Sequence, residues 1–212
     1  MIAYLQRALS TYLGLSKASH DFGLSSPPQV EPITLPGPWS RGIALGMHSE
    51  SSPGSTDERT EIGLLLARFK YEGERRLARP LGEALAGAVQ GLSFDLIVHV
   101  PSSRRSTYEP ACELARATAR ALRVRCLPHL LRLTRRISPQ KDLVNRDGKW
   151  ENVQGAFQVR RPEFVRDQSV LMVDDVYDSG ATLGEAYRAL KAAGAADIAV
   201  VTVTKTRLTG SP

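Results

Sequence analysis

VLMVDDVYDSGAT, residues 170 to 182, sets a short apolar run ahead of two adjacent aspartates, a third carboxylate, a serine, a glycine and a threonine. Val170, Leu171, Met172 and Val173 are too few for a helix and are flanked by polar residues, which predicts a buried parallel strand. From Gly180 the chain reads ATLGEAYRALKAAG, with Leu183, Ala186, Tyr187 and Leu190 at helical spacing and Gly194 placed as a helix stop. The stretch is therefore a strand, a loop and a helix, with its polar residues at the strand's carboxyl end. The fold class that follows is α/β, an open, mostly parallel sheet of Rossmann type flanked by helices.

The loop has a chemistry. Backbone N–H groups from Asp178 to Thr182, with the hydroxyls of Ser179 and Thr182, suit an anion held at a helix N-terminus. Asp174 and Asp175 suit the hydrogen bonds of a vicinal diol. Together they fit a ribose carrying a 5′-phosphate. The plain alternative is a strand end with solvated aspartates and a helix capped by Asp178 or Ser179, but a cap needs one such residue where four are present. No G-x-G-x-x-G follows a strand, which excludes the common dinucleotide-binding folds. The run resembles the phosphoribosyl pyrophosphate (PRPP) motif of type I phosphoribosyltransferases, two acids followed by a Thr/Ser-Gly-x-Thr phosphate loop. That resemblance implies PRPP contacts from Asp174, Asp175, Asp178, Ser179, Gly180, Ala181 and Thr182.

At 212 residues and 42% hydrophobic, the chain accommodates one α/β domain with appended material. No apolar stretch approaches the roughly 20 residues that span a bilayer, so no membrane partner is expected. The opening MIAYLQRALSTYLGL reads as a short amphipathic helix and lacks the layout of a signal peptide. Cys112 and Cys126 read as small core hydrophobes and make a reducing, cytoplasmic compartment the default. His20, His48, His99 and His129 are scattered without ligand spacing, so no protein-built metal site is expected, and His99 within LIVHV reads as a satisfied core histidine. The net charge of +6 is regional: residues 101 to 150 hold twelve Lys/Arg against four Asp/Glu, +8, while the remainder sums to −2. Such a concentration suits a polyanion, whether PRPP, pyrophosphate or nucleic acid.

Residues 1–56 read as the N-terminal helix followed by a Pro/Ser/Gly-rich tether over 16 to 38, a strand at 41 to 48 and a second loop; residues 57–212 read as the main domain. Two helices are expected around Ile62 to Phe69 and Leu77 to Leu85, broken at Tyr71-Glu72-Gly73 and leading to a first core strand at Leu96 to Val100. Pro101 ends that strand, and a helix is expected over 107 to 122. Ser102, Ser103, Arg104 and Arg105 then sit at a strand's carboxyl end, where open α/β sheets bind ligands, and suit a diphosphate. A further strand falls near 124 to 127 or 130 to 134. The stretch RRISPQKDLVNRDGKWENVQGAF is long, polar and aperiodic, a candidate lid whose Arg136, Lys141 and Lys149 bring charge.

Further segments carry a second resemblance. IGLLLARFKYEGERRLARPLGEALA, FDLIVHVPSSRR, LTRRISPQ and WENVQGAFQV, followed by VLMVDDV, resemble the ComF family, competence-associated proteins with a phosphoribosyltransferase-like domain. Phe69-Lys70-Tyr71, Gln140 and Asn152-Val153-Gln154-Gly155-Ala156-Phe157 are its marks outside the PRPP loop. The chain departs from that family in having no cysteine before Cys112, in STYEPA after the first core strand, and in Asp178-Ser179-Gly180 at the phosphate loop. VPSSRR and YDSGAT also look like the phosphoribosyltransferase-like tails of certain RecQ-type helicases.

The resemblances imply a pentosyltransferase that joins the ribose 5-phosphate of PRPP to a nitrogen acceptor and releases pyrophosphate. Asp174, Asp175 and Asp178 would be its catalytic carboxylates. In the hypoxanthine-guanine type an aspartate at the place of Asp178 faces the base; helix capping is its alternative. Mg²⁺ would arrive bound mainly through PRPP. The rival class is a non-catalytic module that keeps the phosphate site and binds single-stranded DNA or DNA-processing proteins, with Tyr108 or Trp150 for stacking. Candidate partners are thus PRPP or another ribose-5-phosphate ligand, DNA or its processing proteins, and a second copy of the chain.

Overall fold

The computed structural model describes residues 30–50, 58–103, 108–138 and 146–207. The expected N-terminal helix, Arg104, Arg105, Gln140 and Lys141 lie outside the described residues. The centre is a six-stranded sheet in which Arg41–Met47 (β2), Leu96–His99 (β5), Arg125–Cys126 (β6), Ser169–Tyr177 (β9) and Asp197–Lys205 (β10) run parallel. Only Ile33–Thr34 (β1), at the β2 edge, is antiparallel. The α/β class with a mostly parallel sheet is the one expected from the Val170–Val173 run, whose residues are buried throughout.

Strand order is β1-β2-β10-β9-β5-β6. From β5 the chain crosses through a helix at Pro110–Leu122 (α3) to β6 on one side. From β9 it crosses through Ala181–Ala192 (α5) to β10 on the other. The two crossovers diverge between β5 and β9, and the carboxyl ends of those strands border the crevice where open α/β sheets take ligands.

Each face of the sheet has its own core. Glu61–Tyr71 (α1), Ala78–Ala88 (α2) and α3 cover one, with Ile62, Leu66, Phe69, Leu85 and Leu114 against Ile97, Leu171 and Val201. The other face packs Leu183, Ala186 and Leu190 of α5 against Val98, Met172 and Val200. Leu131–Leu133 (β7) and Phe157–Val159 (β8) form a separate antiparallel ribbon on that second face. A short ribbon of Ser49–Glu50 (β3) with Glu58–Arg59 (β4) precedes α1. The break between α1 and α2 falls where expected, at Gly73 with φ 76. Thr60 caps α1, its Oγ1 accepting from the Gly63 amide at 3.1 Å.

Several expectations change. The tether read over 16 to 38 gives way to packed chain from Val30 onward, because Leu35 and Trp39 are core residues and Trp39 Nε1 donates to the Leu35 carbonyl at 3.0 Å. The strand expected at 41 to 48 pairs with β10, so the sheet recruits residues N-terminal to the boundary at 56/57 and its first core strand is β2 rather than β5. Both alternatives for the strand after α3 exist, as β6 and β7. The helix expected from 107 starts at Pro110, which suits the first helical turn. The aperiodic lid contains a helix, Arg146–Val153 (α4). Its apolar contacts are only Trp150 and the fully buried Val153, too few to raise a helical period above the polar background.

Candidate functional site at the strand ends

Parallel strands bring their carboxyl ends to one edge, and β9 carries the acids there. The Asp175 amide donates to Asp174 Oδ1 at 2.8 Å, fixing that carboxyl beside its neighbour. Burial pushes the Asp174 carboxyl well above the usual carboxylate range, and the adjacent Asp175 charge pushes the same way against the weaker pull of that amide and of Lys70. Asp175 is met from α1 by Lys70, whose Nζ lies 2.7 Å from Asp175 Oδ2 with both side chains largely sheltered. Burial opposes the Lys70 charge, but Asp175 outweighs it by charge and hydrogen bond, so the ammonium is held above its usual range.

Asp178 is met from the opposite face. Lys149 of α4 donates to Asp178 Oδ2 at 2.5 Å, and Thr206, just past β10, donates from Oγ1 to Asp178 Oδ1 at 2.8 Å. Asp178 therefore does not cap α5. The N-cap is Gly180 with no side-chain cap bond, and the Ala181 amide reaches Ser179 Oγ at 3.4 Å. Gly180 is required there twice over: its φ is 81, and a Cβ would lie 2.7 Å from the Tyr177 hydroxyl. That hydroxyl donates to the Pro36 carbonyl at 2.9 Å, which ties the N-terminal packed segment to the loop. Ser179 is buried, Thr182 half-buried, and both stand in the turn that opens onto the start of α5.

Ser102 and Ser103 follow β5 directly, and Val100 is held by its amide to the Val173 carbonyl at 3.1 Å, so the segment leaves the sheet beside the acid pair. Of the lid residues, Lys149 reaches the site and Arg136 is exposed. The lid's stem is tied to the C-terminal end of α4. Arg135 Nη2 donates to the carbonyls of Asn152 and Gln154 at 3.0 and 2.9 Å, and Asn152 exchanges two hydrogen bonds with the Ser138 backbone. Gly155, at φ 66, donates its amide to the buried Glu185 of α5 at 2.8 Å. Trp150 lies over Gly184, where a Cβ would fall 2.5 Å from the ring, and under the Arg188 guanidinium at 5.7 Å. These contacts anchor α4 on α5.

Lys70, Thr206 and His48 are site residues that the chain order hid. His48, beyond β2, sets Nδ1 3.2 Å from Thr204 Oγ1, and burial followed by the Arg59 and Lys70 charges lowers its pKa. Lys70 had a signal in the Phe69-Lys70-Tyr71 mark, without a role attached. The satisfied core histidine expected at His99 is corrected: the side chain is buried, but neither ring nitrogen has a hydrogen-bond partner among the described residues. Its neighbours are Glu109, at the start of α3, and His129, whose backbone stands at φ 67.

Residues 112–210 match the family described as Phosphoribosyl transferase domain. The match takes in β9, the acid run and α5, and begins after β5 and α1. No curated protein matches the chain. Among solved structures, it is similar to the glutamine PRPP amidotransferase of B. subtilis complexed with ADP and GMP, at 19% identity and a TM-score of 0.44. That similarity covers 73% of this chain and 29% of the amidotransferase, so the chain spans less than a third of that protein's length. Adenine phosphoribosyltransferase from Thermoanaerobacter pseudethanolicus is similar at 15% identity and a TM-score of 0.46, over 74% of this chain and 82% of that one. Purine phosphoribosyltransferase from Pyrococcus horikoshii Ot3 follows at 17% identity, a TM-score of 0.40, and 60% and 80% coverage.

Proposed function

We propose that the chain is a PRPP-binding phosphoribosyltransferase that transfers ribose 5-phosphate to a nitrogen acceptor and releases pyrophosphate. The observation that carries this reading is the continuity of the acid pair and the glycine turn: Asp174 and Asp175 lie in the last part of a central parallel strand that runs to Tyr177, and Ser179 to Thr182 turn onto the start of α5. The pair would hold the ribose hydroxyls and favour the positive charge that builds at the anomeric carbon. Ser179, Gly180, Ala181 and Thr182 would hold the 5′-phosphate at the helix N-terminus. Ser102, Ser103, Arg104 and Arg105 would take the diphosphate. The Lys149 to Asp178 contact gives the lid a way to register the acceptor: a base that hydrogen-bonds Asp178 would displace Lys149 and free its ammonium for the leaving group.

The Mg²⁺ that this reading implies fits as a ligand-borne ion. The carboxylate oxygens of the acid pair are hard donors of the right type, but Lys70 already engages Asp175, so the diphosphate oxygens and water are its natural ligands. Bound there, Mg²⁺ would neutralise charge on the leaving pyrophosphate. The two buried or half-buried free cysteines suit a reducing, cytoplasmic setting.

A second reading has its own support. Both engaged acids, Asp175 and Asp178, are neutralised by lysines of the chain itself, which suits a module whose phosphate site no longer turns over. The +8 segment from 101 to 150 would then track single-stranded DNA, in line with the ComF and helicase-tail resemblances. Fluorescence titration of the full chain with PRPP and Mg²⁺, and separately with single-stranded DNA at two salt concentrations, separates the two. Saturable, Mg²⁺-dependent PRPP binding is expected. DNA affinity that falls steeply with salt while PRPP stays inert would replace the enzyme with the module.

A further inference from the structure

The fold gathers three residues that the sequence keeps apart. His99 ends β5, Glu109 precedes α3, and His129 lies in the turn between β6 and β7. One ligand-type atom from each lies within 4.8 Å of the others. His99 is only 2% exposed, and neither of its ring nitrogens has a hydrogen-bond partner among the described residues. A buried imidazole whose nitrogens make no hydrogen bond costs free energy comparable to a lost hydrogen bond, which an occupant beside it would relieve. His99 Nε2 sits 3.3 Å from Glu109 Oε2, within ion-pair reach.

We propose that His99, Glu109 and His129 form a site for a Zn²⁺-type transition-metal ion, with water in the fourth position. Two imidazole nitrogens and one carboxylate oxygen are the donors such an ion selects, and three protein ligands leave one position open. Metal–ligand bonds of about 2.0 to 2.2 Å in a tetrahedron separate the ligand atoms by roughly 3.4 Å. The His99 and Glu109 atoms already stand at that spacing, so closure falls to His129. His129 is exposed, which also gives the ion a path in. The nearest cation on α3, Arg116, is engaged by Glu113 at 3.0 Å. His99 and Glu109 bracket segment 100–108, so an ion on both pins the two ends of the segment that carries Ser102 and Ser103.

The two cysteines are the competing ligands within the chain, but burial raises both thiols, Cys126 to about 11. The test uses the full chain, stripped with a chelator and titrated with Zn²⁺ against a chromophoric competitor, with metal content and thermal midpoint read on the same samples. Wild type is expected to take up one equivalent and to gain in Tm, because the ligands converge only in the folded chain. Glu109→Gln and His129→Asn are expected to lose at least about 10-fold in affinity, and Cys126→Ser to lose none. Asn tolerates the left-handed backbone that His129 adopts, so that variant keeps the fold. Addition of Co²⁺ should give the visible bands of a tetrahedral ion in wild type and Cys126→Ser, and not in Glu109→Gln or His129→Asn. No uptake by wild type, equal uptake by Glu109→Gln and His129→Asn, or loss of uptake in Cys126→Ser would each overturn the site.

Discussion

Asp174 is held in a folded environment that disfavours its charge. Its carboxyl titrates above its unfolded value, so over the interval between the ordinary carboxylate range and the raised value the folded chain binds the proton more tightly. Stability contributed by this group is thus present at acid pH and lost as pH rises through that interval. Asp174→Asn removes the loss, and its side-chain oxygen can still accept from the Asp175 amide. In urea denaturation the variant is expected to be more stable than wild type near about pH 7, with the gap narrowing towards about pH 4. A gap independent of pH would show that Asp174 titrates normally. The acids themselves were legible, since Asp174, Asp175 and Asp178 fall within one contiguous run. Their lysines were not. Lys70 comes from a helix a hundred residues upstream and Lys149 from a polar stretch without period, and only folding brings either one to its partner. The same holds for His99, Glu109 and His129, whose spacing matches no ligand pattern until β5, α3 and the turn after β6 are adjacent.

Elements with a strong period were legible, and those held by a few contacts were not. Val170 to Val173, the α1 and α2 faces and the helix after Gly180 all stand where apolar spacing puts them. The segment around Leu35 and Trp39 reads as Pro/Gly-rich linker, yet two buried apolar side chains and backbone bonds from the Leu35 amide to the Gly42 carbonyl and from the Ser40 amide to the Ile198 carbonyl fix it to the sheet. Close helix packing offers a test at this scale. Gly82 on α2 faces α3 so tightly that a Cβ would lie 2.4 Å from the Ala117 Cβ and 2.8 Å from the backbone. Gly82→Ala gains about 1 kcal/mol of helix propensity. Overpacking against backbone costs about 1 to 3 kcal/mol, and because Ala117 and Thr118 belong to a helix that cannot yield locally, the cost prevails. A lower urea midpoint with an unchanged slope is expected; a raised midpoint would mean that α2 and α3 are less closely packed. Gly184 contrasts with it, because what its Cβ would meet is the Trp150 ring at the end of a side chain. In a Trp39→Phe background, Gly184→Ala should shift Trp150 emission to the red and leave the thermal midpoint nearly unchanged.

At the scale of the whole molecule, the sheet turns scattered chemistry into one edge. The divergence of the two crossovers between β5 and β9 sets Ser102 and Ser103 beside Asp174 and Asp175, with the acid run and the start of α5 at the same end. No helix among the described residues is long and apolar enough to cross a membrane. The PRPP site proposed at this edge is organised by its acid pair. Calorimetric titration of wild type and of Asp174→Asn/Asp175→Asn with PRPP, with and without Mg²⁺, tests it most directly. Saturable, Mg²⁺-dependent binding in wild type that disappears in the double variant is the predicted result; tight, Mg²⁺-dependent binding retained by the double variant, or none in wild type, would contradict it.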